Sequence, residues 1–336
     1  MGRGAHRDHR GRRMSTAPPV HAFVQPLRPW LAQCEEMLAR YAGGHVPEVS
    51  EPAMNTLAAG GKRVRPMFVF CASSGDEEDR PALVAAAAAV ELVHMATLVH
   101  DDLIDGAATR RGRPTVARAH GAEAAINVGD FLFARAFAEL TRIGSPAAVS
   151  ALADASLDLA LGEMGQQRAA GDLGLTVQAY MSRCRCKTGA LFSVACRLGA
   201  ILSGGSEEAQ LRLASFGTRV GVAFQILDDI LDLSGSPSET GKRRGTDILS
   251  GTVTLPHILA IRDEPALGNE IGRVTAAGEG LEALCDKLAV HPGAAAARQR
   301  ALEEVALAAE ALDGDIGGAD ADALRTIAAG MVDRYA

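Results

Sequence analysis

The chain has 336 residues, 48% of them hydrophobic, enough for one large domain or two ordinary ones around a sizeable core. Aromatics are only 4%, the net charge is -7 and the pI is near 5.7, which argues against a nucleic-acid partner held by base stacking or a basic face. Six cysteines include no CxxC pair and no zinc-type His spacing; Cys184 and Cys186 form a lone CxC, and all six read as reduced thiols of a cytoplasmic protein.

Residues 1–18 read as a disordered basic tail, with Arg3, Arg7, Arg10, Arg12 and Arg13 against Asp8 and no apolar stretch that would make a secretory signal. Residues 19–336 read as one domain. Helical periodicity dominates it, and strand-like alternation is hard to find. Helices are predicted over 22–42 and 54–72. The next starts at Asp79-Arg80-Pro81, with Pro81 in the first turn, and runs through an alanine-rich stretch to Gly106. Further helices are predicted over 117–143, 146–170, 176–203, 207–233, 252–264, 294–311 and near 320–334. Acids and arginines interrupt every apolar run before the roughly 18 residues a membrane helix needs, so no stable membrane insertion is expected. The expected fold is all-α, a single-domain bundle of long helices around a central cavity. Its alanines favour helix and close helix approach.

The chemistry starts at "VHDDLID". Asp101, Asp102 and Asp105 stand at i, i+1 and i+4, expected on one arc of a helix end. Three anions there repel each other and oppose the helix dipole, so alone they fit a solvated acidic end or a cation site. "FQILDDILDL" repeats the spacing at Asp228, Asp229 and Asp232 in a second apolar helix. Two facing triads would line one cavity with hard oxygen donors suited to Mg2+, an ion that leaves part of its coordination to substrate phosphates. Basic clusters complement them: Lys62, Arg63 and Arg65 in "GGKRVRP", Arg110 and Arg111 in "TRRGRPT", Lys187 in "KTG", and Lys242 before Asp247 in "GKRRGTD". Each alone could be a solvated surface. Beside two acidic triads they supply the forks and ammoniums for two phosphorylated ligands, one held through metal and the other directly.

In this order and spacing, GGKRVRP, His94, DDLID, RRGRPT, GEMGQ, KTG, FQILDD and GTDILSGTVTLP resemble the trans-isoprenyl diphosphate synthases over roughly residues 55–260. The resemblance implies the type I isoprenoid synthase fold, a homodimer, and about three Mg2+ ions in each active site, in line with a metal clamp on a diphosphate. It places Mg2+ on Asp101, Asp105 and Asp228, with Asp102, Asp229 and Asp232 supporting. Arg110, Lys187 and Lys242 would clamp an allylic diphosphate. Lys62, Arg65, His94 and Arg111 would bind isopentenyl diphosphate, with Gly61 shaping the loop. Thr188, Gln225, Glu163 and Gln166 match polar family positions lining the cavity. The implied reaction ionises the allylic C–O bond, adds isopentenyl diphosphate to the cation and loses a proton.

Residues five and four before the first aspartate floor the chain pocket in this family, and here they are Ala96 and Thr97, with Val93 one turn deeper. Their modest size implies a product of C20 or longer unless Phe131 or Phe133 adds bulk. The tail departs from the family's GKxTLP pattern, with Thr252 where lysine is common. A geranylgeranyl or farnesyl diphosphate synthase, a class I terpene cyclase and a subunit of a heteromeric synthase are the competing readings. A cyclase has no use for GGKRVRP, and a non-catalytic subunit would be expected to lose aspartates that this chain keeps.

Overall fold

The computed structural model describes residues 20–235 and 244–333; the expected tail at 1–18 and Lys242 lie outside them. The central element is α4 (Arg80–Ile104). Pro81 in its first turn costs no hydrogen bond, the alanine run that follows is the best helix-forming sequence available, and Gly106 at φ 62° turns the chain away just past its end. Leu83, Ala86, Leu92 and Val93 are among its fully buried side chains. Truncating a leucine such as Leu92 to alanine in so closed a site costs about 2–5 kcal/mol.

Glu91 interrupts the apolar run of α4 as expected, yet α4 is still long and apolar enough to cross a membrane by length and composition alone. In the fold, 72% of its most apolar window is buried inside the bundle.

Helix α4 packs against α1 (Val20–Ala42), α3 (Val64–Cys71), α6 (Ala122–Arg142) and α9 (Ala190–Leu202). The long helix α10 (Glu207–Ser234) packs on α9 and on α15 (Pro292–Ala311). The approach of α9 and α10 requires glycine: a Cβ on Gly217 would come within 2.4 Å of the Phe192 carbonyl oxygen. Helices α7 (Pro146–Arg168), α8 (Val177–Cys184) and α10 start on side-chain caps, where Ser145, Thr176 and Ser206 accept from the amides of Ala148, Ala179 and Ala209, each worth about 1 kcal/mol.

Several predicted helices are broken. The span 54–72 is two helices, α2 (Pro47–Ala58) and α3, because Gly60 and Arg63 take left-handed φ values of 79° and 49°. The span 117–143 divides at Gly121 into α5 (Val116–His120) and α6, and 176–203 carries a π-helical turn, Arg185–Gly189, between α8 and α9. Instead of 252–264 there is a short α11 (Thr246–Ser250) followed by α12 (Leu255–Asp263). Helices α13 (Ala266–Ala277) and α14 (Leu281–Val290) were not anticipated, and α16 (Ala321–Asp333) closes the described chain. Between α4 and α5 the chain forms a two-stranded hairpin, Thr109–Arg110 paired antiparallel with Arg113–Pro114.

Candidate active site

A cavity of about 490 Å3 opens between the C-terminal half of α4 and that of α10, walled by the π-helical turn, α9, the 61–63 loop and the start of α3. Both acidic triads reach it, but not as single arcs. Asp101 and Asp105 line the cavity, whereas Asp102 is turned away by the roughly 100° between adjacent helix residues. It is buried on the other side of α4, where the Arg110 guanidinium grips both its oxygens, Nε at 2.9 Å from each and Nη2 at 2.7 Å from Oδ1. The expectation that all three share one face is corrected on this point, because only the i and i+4 residues do.

All three acids of the second triad border this cavity, but in different settings. Asp228 is exposed on the cavity wall. Asp229 is buried and accepts from the Tyr180 hydroxyl at 2.6 Å and the Gln225 amide at 2.7 Å. Asp232 accepts from the Thr246 hydroxyl at 2.5 Å and from the Thr246 and Asp247 amides at 3.2 and 3.1 Å, which pins the start of α11 to the cavity mouth.

Burial pushes the Asp101 carboxyl up to about 6; Lys187 pulls it down, and Glu163 and Asp105 push it further up. Burial likewise raises Asp229 to about 7 against the Tyr180 and Gln225 hydrogen bonds, with Asp228 adding like-charge repulsion. Such acids gain from a cation. Among the described residues no three His, Cys, Asp or Glu side chains converge to hold a metal by themselves. That donor set suits an ion such as Mg2+, which keeps waters and takes ligand phosphate oxygens, and it does not suit an ion needing a full protein cage.

The cations fall into two groups. Lys187, on the π-helical turn, sits 2.5 Å from Glu163 Oε2. Burial opposes its charge, but Asp101 and Glu163 overrule this and hold its pKa above the ordinary value. Beside it the Thr188 hydroxyl donates to Gln225 Oε1 at 2.6 Å, so Thr188, Gln225, Asp229 and Tyr180 form one chain of hydrogen bonds. The second group is Lys62, Arg65, His94 and Arg111, all on the cavity wall. Arg65 stacks 4.6 Å from the Phe192 ring centroid, and burial lowers it to about 10, Glu91 restoring and Arg111 lowering. Burial, then Arg65 and Arg111, push His94 well below its usual value, so its ring is neutral at pH 7. A Cβ on Gly61 would lie 3.0 Å from Arg63 Nη1 and 3.3 Å from Arg111 Nη1, so a side chain here would press on both guanidinium groups.

Arg63 plays a different part from its neighbours in GGKRVRP. It forms ion pairs with Glu35 and with the buried Glu91, the latter at 2.9 Å, and ties α1 to α4. Arg110 is committed to Asp102 while still bordering the cavity. Gln166 and Thr252 line it, and Glu163 reaches it through Lys187.

For the chain pocket, Thr97 is on the cavity wall, while Ala96 and Val93 are fully buried and absent from it. Phe131 and Phe133 pack on His45 and His100 outside the cavity; its apolar wall is built from Leu98, Leu159, Leu191, Phe192 and Phe224.

Sequence reasoning missed Tyr180, Arg183 and Arg244, which also line the cavity, and Gly162 behind Lys187. Of these Gly162 and Arg244 carried a signal, as the first residue of GEMGQ and the fourth of GKRRGTD, while Tyr180 and Arg183 stand in no such motif.

A family model for polyprenyl synthetase matches residues 46–288. The chain is 41% identical over 234 residues to heptaprenyl diphosphate synthase component 2 of Geobacillus stearothermophilus, covering 70% of this chain and 73% of that one. It is 37% identical over 242 residues to nonaprenyl diphosphate synthase of Mycobacterium tuberculosis, covering 72% of each. Its fold is similar to the crystal structure of a polyprenyl synthase from Caulobacter crescentus CB15 complexed with calcium and isoprenyl diphosphate, with a TM-score of 0.88, 32% identity, and coverage of 96% of this chain and 100% of that one.

Proposed function

This chain belongs to the polyprenyl synthetase family and is a prenyltransferase, and we propose that it condenses isopentenyl diphosphate with an allylic diphosphate to give an all-trans polyprenyl diphosphate of medium to long chain. The observation that carries this is the division of one cavity into two charge environments. Asp101, Asp105 and Asp228 face it on one side with Lys187, and Lys62, Arg65, His94 and Arg111 face it on the other. One diphosphate suits the acids with a metal, and a second suits the cations directly.

Asp101, Asp105 and Asp228 would hold Mg2+, which when bound supplies positive charge to a departing diphosphate. Lys187 adds a fixed cation there, kept charged by Glu163. Lys242, outside the described residues, and Arg110 complete the allylic clamp in this reading. Lys62, Arg65 and Arg111 hold the isopentenyl diphosphate head, and neutral His94 offers a hydrogen bond without adding charge. The buried chain from Thr188 to Asp229 fixes Gln225 against the reacting region. Leu159, Leu191, Phe192 and Phe224 keep water from the allylic cation. The cation takes the electron pair of the isopentenyl double bond, and the proton lost in forming the new double bond goes to the released diphosphate.

Small Thr97 at the wall leaves room for a growing chain. The chain's relatives include synthases named heptaprenyl, octaprenyl and nonaprenyl, which supports a medium or long product. We place residues 19–336 in one domain, acting in the cytoplasm as a homodimer.

A second arrangement is favoured by one observation: two relatives are named as component 2 of a heptaprenyl diphosphate synthase. In that arrangement this chain, with all six aspartates, is the catalytic subunit, and the exposed Ile126, Leu157, Leu161 and Met164 on α6 and α7 are available to a partner. Mass analysis of products from the purified chain, Mg2+, isopentenyl diphosphate and each allylic primer decides. Elongated prenyl diphosphates support the proposal; terpene hydrocarbon without elongation, or no reaction, contradicts it for the isolated chain.

A further inference from the structure

A second cavity, of about 350 Å3, lies behind the active site, between α2, α4, α5 and the 109–114 hairpin. Its volume is at the lower end for small-molecule sites. The floor is apolar, with Met95, Val99 and Val116, and the rim is basic, with Arg111, Arg113 and His120. The acids that reach it are already neutralised, Asp102 by Arg110 and Glu91 by Arg63. Arg113 and His120 enter no ion pair among the described residues. An anionic head on a short hydrocarbon body matches both halves of this lining.

We infer that this rear cavity binds a short-chain diphosphate monoester, head on Arg111 and Arg113 and hydrocarbon on the Met95–Val116 floor, and that its occupancy inhibits turnover. The ligand class rests on the proposed use of isopentenyl diphosphate; the cavity itself does not.

The coupling element is the hairpin. Arg110 and Arg111 border both cavities. Thr109 pairs with Pro114 and Arg110 with Arg113, leaving Arg111 and Gly112 as a two-residue loop at φ 50° and 74°, the positive values a type I′ turn needs. A hairpin this short is marginal alone. Here the Arg110–Asp102 ion pair holds it, together with the Thr115 hydroxyl donating to the Ala107 carbonyl at 2.7 Å. A diphosphate at the rear competes with Asp102 for Arg110 and draws Arg111 off the front cavity. Both shifts weaken the front site.

The test is a calorimetric titration of the metal-free chain with isopentenyl diphosphate. Two sites per chain are expected. Ala119→Trp fills the rear cavity and Arg113→Glu reverses its rim charge; both positions line only that cavity, and each variant should keep one site. In turnover assays high isopentenyl diphosphate should slow the wild type and neither variant, with kcat/KM for the allylic primer within about twofold of wild type. Inorganic diphosphate, lacking a hydrocarbon body, should compete poorly for the second site; equal competition would make this a plain anion site and overturn the assignment. One site in the wild type, or two sites surviving in both variants, also overturns it. No binding at all in the wild type would sink the proposed function and this inference together.

Discussion

Gly162 stands so close to the π-helical turn that a Cβ on it would lie 2.6 Å from the Lys187 amide nitrogen. Glycine there lets α7 carry Glu163 to within 2.5 Å of Lys187 Nζ while the turn bends the chain toward the cavity. Gly162→Ala should therefore displace Lys187 rather than unfold the bundle. A misplacement of about 1 Å at a reacting centre costs on the order of a hundredfold in rate. Steady-state kcat alongside the circular dichroism melt checks this; an active variant would show that the turn tolerates the shift.

Tyr180 and Gln225 both donate to the Asp229 carboxylate, and each donor lowers a pKa that burial has raised to about 7. Removing one donor in Tyr180→Phe raises it further, so less of the carboxylate is ionised at neutral pH. The acid limb of the rate–pH profile should move to higher pH, with activity recovering as pH rises. An unchanged limb would mean that Asp229 ionisation does not govern the reaction.

Asp101 and Asp229 both have folded-state pKa values above the ordinary 3.8, at about 6 and about 7. The folded chain then holds protons that the unfolded chain releases. Stability from these groups is present at low pH and is lost as pH rises through those values. Mg2+ competes with the protons, so its stabilising effect should be greater at pH 8 than at pH 5. Thermal melts with Mg2+ and with chelator at both pH values measure this; a Tm gain equal or larger at pH 5 would contradict it.

Arg63 and Lys62 are neighbours with opposite expectations. Arg63→Met leaves the buried Glu91 without its partner and should cost about 3–5 kcal/mol of stability. Lys62→Ala, at an exposed position, should cost much less stability than Arg63→Met and raise KM for isopentenyl diphosphate. Denaturant titration of both variants checks the contrast.

Thr97→Phe should shorten the product, because Thr97 is on the cavity wall. Ala96→Phe should instead overpack a fully buried position and cost about 1–3 kcal/mol, with little change in chain length. Product mass analysis and melts of the two variants separate the positions, and shortening by Ala96→Phe alone would reverse the assignment.

The long helices were legible because each has a strong start and an unbroken apolar pattern, as from Pro81 to Gly106. The break in 54–72 was not, since the left-handed turn at Arg63 uses a residue that gives no turn signal. Helices α13 and α14 were hidden by Gly268, Gly272, Gly278 and Gly280. In the site, residue types and spacing identified both acidic triads and the cations. Side-chain direction was the missing part: adjacent Asp101 and Asp102 face different cavities, and Arg63 turns to Glu35 and Glu91 while Arg65 turns to Phe192. Tyr180 was invisible because its partner Asp229 lies 49 residues on and no spacing links them.

The central claim is that one cavity holds two diphosphates by different means. Steady-state KM for each substrate in Lys62→Ala and in Asp228→Asn tests it most directly. Lys62→Ala should raise KM for isopentenyl diphosphate alone, and Asp228→Asn should weaken the allylic substrate and Mg2+ together. If both substitutions weaken the same substrate and spare the other, the two-site account is wrong.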